Sequence, residues 1–319
     1  MRYALTGATG FVGGELARLL VEEAHDVVAL VRSPGRAAQL EAAGIQLVEG
    51  GLDDDRALDR LLDGADGLFH VAGWYKLGAR TATEAEQVNV EGTRNVLTAA
   101  QRAGTGKVVY TSTLAVNSDT GGAVRDETYH HTGGHLSTYD RTKAERHPIS
   151  PGLARSERPV VTAVPGRVGG PGGTSQTGAL IAQVVAGRRP LVPRGGGRLM
   201  WAHVADVARG HLDAMQRGVS GESYMLAGDP ASLAELLQNV ARIAGTKGPV
   251  LVPAPLIRVS AKVMTPLARI ASLPPTYHPE TLRAGLASYL GSRAKAEREL
   301  HWHSRPLAEG LMEMVTALQ

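Results

Sequence analysis

The stretch from Thr6 to Gly13 restricts the fold of this chain more than any other. It reads Thr6-Gly7-Ala8-Thr9-Gly10-Phe11-Val12-Gly13, directly after the apolar run at residues 3–6. It also opens a segment whose Val12, Leu16, Leu19 and Leu20 recur at helical spacing. Strand, glycine turn and helix in that order predict the first unit of a dinucleotide-binding sheet. The glycines there serve a tight turn, a close approach of backbone to a pyrophosphate, and close packing of helix on strand. Amide groups at the helix N-terminus, with the positive end of its dipole, hold the phosphates. Gly7, Thr9, Gly10, Phe11, Val12 and Gly13 are therefore candidate cofactor-binding residues.

The rest of the first half repeats the pattern. Runs at 27–31, 45–48, 67–71, 108–111 and 160–164 alternate with amphipathic segments, which predicts an α/β fold with a Rossmann-type, doubly wound parallel sheet. Beyond about Gly166 the alternation loosens into glycine- and proline-rich loops, with a helical stretch near 232–244. Residues 1–166 are expected to form the dinucleotide-binding domain. Residues 167–319 are expected to form mainly a smaller, C-terminal substrate-binding lobe, some segments of which return to the first core. The chain has no cysteine, which excludes disulfides and thiolate chemistry. Its 34 basic and 31 acidic residues are scattered and only 4% is aromatic, a poor match to a nucleic-acid surface. No apolar run is long enough to span a membrane, and the start shows no leader pattern, so a cytoplasmic protein is expected.

Tyr139-Asp140-Arg141-Thr142-Lys143 places a phenol and an ammonium at i and i+4, on one face of a helix. A cation beside a tyrosine favours phenolate and brings its proton transfer toward neutral pH. Val108-Val109-Tyr110-Thr111-Ser112-Thr113 is a buried-type strand ending in hydroxyls, where open α/β sheets bind ligands. One of those hydroxyls can polarise a carbonyl beside the tyrosine.

With these motifs in place, the chain resembles the extended short-chain dehydrogenase/reductases, of the NAD-dependent epimerase/dehydratase family, and most of all their dihydroflavonol 4-reductase-like branch. The likeness runs nearly end to end. It takes in Leu68-Phe69-His70-Val71-Ala72-Gly73, Asn89-Val90-Glu91-Gly92-Thr93, Pro165-Gly166-Arg167-Val168 and His203-Val204-Ala205-Asp206-Val207-Ala208. The resemblance implies Tyr139 as general acid/base and Lys143 as the group that binds the nicotinamide ribose and lowers the tyrosine pKa. It puts the catalytic hydroxyl at Thr113, four residues before Asn117, and not at Ser112. Val71, Ala72, Gly73, Pro165 and Val168 would border the cofactor, and Asn89 would distort a helix below the site. His203 reads as a structural histidine.

The chain also departs from the family pattern. Where the family has Gly-Asp-Leu to meet the adenine amine, this chain has Gly50-Gly51-Leu52-Asp53. Leu52 and Asp53 are candidates for that contact only if Asp53 compensates for Gly51. Pro148 and Pro151 should stop the Tyr139 helix near His147 and leave residues 149–158 irregular. The early stop leaves open whether the chain is a monomer or a homodimer.

After the second strand, Val31-Arg32-Ser33-Pro34-Gly35-Arg36 carries no acid; none occurs between Asp26 and Glu41. Relatives specific for NAD have a carboxylate there that repels a 2′-phosphate, whereas Arg32 can bind one, so NADP is the expected cofactor and NAD the alternative. Trp74, Tyr75, Thr113 and Met200 are candidate substrate-lining residues, with Lys76 and Trp201 near them. His130, His131 and His135 have no carboxylate or cysteine company, and no metal is expected. The expected function is an NADP-dependent ketone/aldehyde reductase or secondary-alcohol dehydrogenase acting on a small molecule. A nucleotide-sugar epimerase or dehydratase and a non-catalytic dinucleotide sensor are the alternatives.

Overall fold

The computed structural model describes residues 1–75, 82–145, 160–173, 175–257, 259–260, 264 and 279–319. The expectations for Lys76, Pro148, Pro151 and residues 149–158 lie outside the described residues. In chain order the strands are β1 (Arg2–Thr6), β2 (Asp26–Val31), β3 (Gln46–Glu49), β4 (Gly67–His70), β5 (Lys107–Thr111) and β6 (Val160–Pro165). They continue with β7 (Arg167–Gly169), β8 (Leu191–Arg194), β9 (Arg198–His203), β10 (Ser223–Leu226), β11 (Asp229–Ser232) and β12 (Val250–Pro253).

Seven of these form one parallel sheet in the order β10-β6-β5-β4-β1-β2-β3. Strand alternation explains its two cores. Leu5, Phe69 and Val109 point to one face and pack with Leu16 and Leu20 of the helix Phe11–Glu22 and Leu212 of the helix Val204–Arg217. Ala4, Leu68, Val108 and Tyr110 point to the other, against Leu58 and Leu61 of Asp55–Leu62 and Val96 of Thr93–Arg102. The chain runs outward from β1 to β2 and β3, then returns to β4 on the other side of β1. That reversal opens a crevice at the strand C-termini between β1 and β4, where such sheets bind ligands.

A second unit is built on the sheet β11-β9-β7 and the pair β12-β8. Helices Gln176–Val185, Leu233–Ala244 and Leu307–Thr316 cover it, and Ile181, Trp201, Leu237, Val240 and Leu311 fill its core. Leu233–Ala244 starts on a capping box between Ser232 and Glu235 and ends at Gly245, whose φ of +69° needs no side chain. The second half returns to the main sheet through β10, which adds to its edge, and through Val204–Arg217. Trp302, 1% exposed, packs there and donates its indole N–H to the Asp206 carbonyl at 2.6 Å. Among the described residues no helix is long and apolar enough to cross a membrane.

Candidate active site

The crevice is lined first by the glycine turn. Gly7 has φ +81°, and a Cβ on it would stand 2.6 Å from the Ala72 nitrogen. The turn thus lies directly against Val71, Ala72 and Gly73, which continue β4. Val71 N–H donates to Thr6 O at 3.2 Å and Ala72 N–H to Thr6 Oγ1 at 3.3 Å, tying the two segments together. A Cβ on Gly13 would fall 2.1 Å from the Gly7 carbonyl oxygen, so only glycine lets the first helix sit on its own turn. Gly10 caps that helix, Thr9 and Gly10 are exposed, and the first turn carries no acid. Amides at a helix N-terminus without a competing carboxylate fit a pyrophosphate. The half-buried Phe11 ring, beside Val12, is 3.4 Å from where a Cβ on either Gly170 or Gly173 would lie. The glycine-rich segment after β7 therefore passes close over Phe11.

At the outer end of the crevice Arg32 is exposed just beyond β2. Leu52 packs against Gly92 and its carbonyl accepts from Asn95 Nδ2 at 3.1 Å. A Cβ on Gly51 would lie 2.3 Å from Asp53 Oδ1. The Asp53 carboxylate occupies the space that a side chain at position 51 would take.

At the other end, Ser137 caps the helix Thr138–Ala144, accepting from Asp140 N–H, and this helix puts Tyr139 and Lys143 on one face. Thr113, which follows β5, stands close enough to the Tyr139 phenol for its side chain to favour the ionised form. Thr113 Oγ1 accepts from Ala115 N–H at 3.2 Å, leaving its own proton to donate. Burial pushes the Tyr139 phenol up to about 12, with the Thr113 side chain acting against it. Lys143 is buried; its Nζ donates to the Thr111 carbonyl at 3.0 Å and lies over the Tyr110 ring at 5.2 Å. Burial lowers this ammonium to about 8. A Cβ on Gly73 would stand 2.9 Å from Lys143 Nζ, so Gly73 keeps the approach to the ammonium open.

Asn89 lies on a π-helical turn, Glu86–Gly92. That turn delivers its amide to the Trp74 backbone: Oδ1 accepts from Trp74 N–H at 2.8 Å, while Nδ2 donates to Trp74 O and Thr142 Oγ1, each at 3.0 Å. Behind them His70, held by Thr6 and Thr93, is kept neutral chiefly by burial and next by the Lys143 charge.

Pro165 ends β6 and is buried; Val168 packs on the core of the main sheet. Trp74 is buried, Tyr75 is 62% exposed, and Met200 is buried with Leu114, Val164 and Leu290. His203 caps the helix Val204–Arg217, its Nδ1 accepting from Ala205 N–H. Among the described residues no group of three His, Asp or Glu could hold a metal. Three residues the sequence reading did not single out also converge here. Arg167 and Tyr289 are close enough to Tyr139 or to each other to interact electrostatically, and Tyr289 donates to Asp140 Oδ2 at 3.2 Å. Arg167 and Asp140 stood inside quoted motifs; no local signal pointed to Tyr289.

The model of the NAD dependent epimerase/dehydratase family matches residues 3–227, which contain all of the main sheet but Arg2. The chain belongs to this family. It is 34% identical over 287 residues to a dihydroflavonol 4-reductase-like protein of Synechocystis sp., covering 85% of this chain and 82% of that protein. To 4-hydroxy-2-methyl-3-oxo-4-farnesyl-3,4-dihydroquinoline-1-oxide ketoreductase of Stigmatella aurantiaca it is 33% identical, covering 96% and 92% of the two chains. The crystal structure of gox2253 superposes with a TM-score of 0.82 at 31% identity, over 99% of this chain and 97% of that one. Membership makes the chain an NAD(P)-dependent oxidoreductase of the extended short-chain dehydrogenase/reductase type, with a dinucleotide and a small molecule as its ligands.

Proposed function

We propose that the protein is an NADP-dependent carbonyl reductase, or in reverse a secondary-alcohol dehydrogenase, working through Thr113, Tyr139 and Lys143. The observation that carries this reading is the Tyr139 phenol beside the Thr113 side chain and on one helix face with Lys143. Bound in the crevice, the nicotinamide supplies or accepts the hydride. Tyr139 gives its proton to the carbonyl oxygen as the alcohol forms, and Thr113 donates a hydrogen bond to the same oxygen. Lys143 binds the nicotinamide ribose hydroxyls, while the Thr113 side chain and the Arg167 charge loosen the phenol's hold on its proton. Asn89 positions the strand-end backbone at Trp74. Gly7, Thr9, Gly10, Phe11, Val12 and Gly13 hold the pyrophosphate, Arg32 takes the 2′-phosphate, and Asp53, beside Leu52, stands in at the adenine. Val71, Ala72, Gly73, Pro165 and Val168 flank the rest of the cofactor. Residues 167–319 supply most of the substrate side, with Trp74, Tyr75 and Met200.

The reductase-like relatives favour net hydride transfer over the transient transfer of an epimerase or dehydratase. Stoichiometric loss of NADPH absorbance with a ketone or aldehyde panel tests this. Tyr139→Phe is expected to lower turnover by about 10²-fold or more. Conversion without net cofactor change would favour the epimerase reading. Full turnover by Tyr139→Phe would remove the proposed acid.

A further inference from the structure

Arg167 begins β7, immediately after Gly166, and its charge is felt by two phenols, those of Tyr139 and Tyr289. Its Nη2 donates to Thr177 Oγ1 at 2.9 Å, while its Nε is buried without a hydrogen-bond partner. No Asp or Glu among the described residues forms an ion pair with it. The buried carboxylate beside Tyr139, Asp140, accepts from Ser137 Oγ at 2.7 Å and from the Tyr289 hydroxyl. Val168, the next residue, turns to the opposite side and packs on the main core, so strand alternation directs Arg167 away from it. Arg167 is half-buried with its Nε fully buried, it keeps its proton there, and a partly desolvated charge without a counter-ion is unfavourable. The arrangement leaves a cation, fixed by Thr177 and within electrostatic reach of the Tyr139 phenol, with no anion from the described residues.

We propose that Arg167 sets substrate specificity: the substrate carries a carboxylate beside the carbonyl group that Tyr139 protonates, and Arg167 pairs with it. This rests on the carbonyl-reductase reading of Tyr139. A planar guanidinium suits a carboxylate better than an ammonium does, because its donors match both oxygens. The cofactor's pyrophosphate is a poorer candidate for the partner. The turn expected to hold it meets the β7 segment at Gly170 and Gly173, through Phe11, and not at Arg167.

The test compares 2-oxo, 3-oxo and 4-oxo acids with their methyl esters as substrates for the wild type, Arg167→Gln and Arg167→Lys. For at least one acid–ester pair the wild type should favour the acid in kcat/KM by roughly 10- to 100-fold, as expected for a charge-assisted bond. Arg167→Gln should bring that ratio to about 1 through the KM for the acid, Arg167→Lys should restore part of it, and NADPH affinity should stay within about threefold. Equal rates on acid and ester by the wild type would overturn the proposal. So would a loss in Arg167→Gln common to both, or weaker NADPH binding in that variant. Calorimetric titration of the NADP-loaded enzyme with the matching hydroxy acids and hydroxy esters reads the same preference without turnover. Selective acid binding lost in Arg167→Gln, with no ketone reduced, would sink the reductase reading and keep the anion site. Absence of acid-selective binding would sink the site.

Discussion

Replacing Lys143 with methionine is expected to stabilise the cofactor-free protein while abolishing its turnover. An ammonium carries three donors, yet this one is 4% exposed, donates to Thr111 O at 3.0 Å and otherwise lies over an aromatic ring. Burial lowers it from 10.5 to about 8, and at about 1.36 kcal/mol per pH unit its charged form costs on the order of 3 kcal/mol near neutral pH. Methionine keeps most of the buried stem and removes the charge. Its loss of one hydrogen bond gives back about 1 kcal/mol, leaving a net gain of roughly 1–2 kcal/mol. For a chain of this size that is a rise in Tm of no more than about 2–4 °C per kcal/mol.

The pH dependence of that gain identifies its source. The unfolded chain holds the Lys143 proton up to about 10.5, and the folded protein releases it near 8. Between those values the unfolded state binds more protons, so wild-type stability rises with pH. The advantage of Lys143→Met is therefore full below pH 8 and gone by about 10.5. Thermal melts of both proteins across this window measure it, and saturating NADPH should narrow the gap by giving the ammonium its ribose partners. A variant that melts below the wild type at neutral pH, or whose advantage is flat across the window, would refute the reasoning.

Arg32→Ala should weaken NADP(H) binding by roughly ten- to a hundredfold and change NAD(H) binding little, as read by fluorescence titration of both cofactors. Asp53→Ala should weaken both cofactors to a similar degree, by roughly tenfold, because the adenine is common to them; an effect on NADP(H) alone would remove Asp53 from the adenine site. Gly13→Ala drives a Cβ to 2.1 Å from a backbone oxygen that no rotamer change can clear. It should cost about 1–3 kcal/mol in a melt and cofactor affinity in the same titration.

How much of this was readable in the sequence follows from how local each contact is. The glycine turn was legible because Gly7 and Gly13 answer to backbone collisions within one βα unit, and Tyr139 and Lys143 because i and i+4 share a helix face. The six strands read from the first half all form, the third over Gln46–Glu49, one residue later than expected. β10 was not read, since four residues without an alternating pattern become a strand only because β6 offers a free edge. The same division runs through the site. The sequence shows that position 51 lacks a carboxylate, but only the folded loop shows the Asp53 oxygen filling that space. Arg167 was visible as one basic residue among 34, inside a quoted motif but with no role that its neighbours in the chain assign to it. It stands out only when β7, the Tyr139 helix and the segment carrying Tyr289 close around it and supply phenols and a threonine hydroxyl instead of a carboxylate. An uncompensated charge is a property of everything that surrounds it, so a specificity group of the proposed kind is legible only in the assembled fold, while the Tyr139 and Lys143 pair is legible in a pentapeptide.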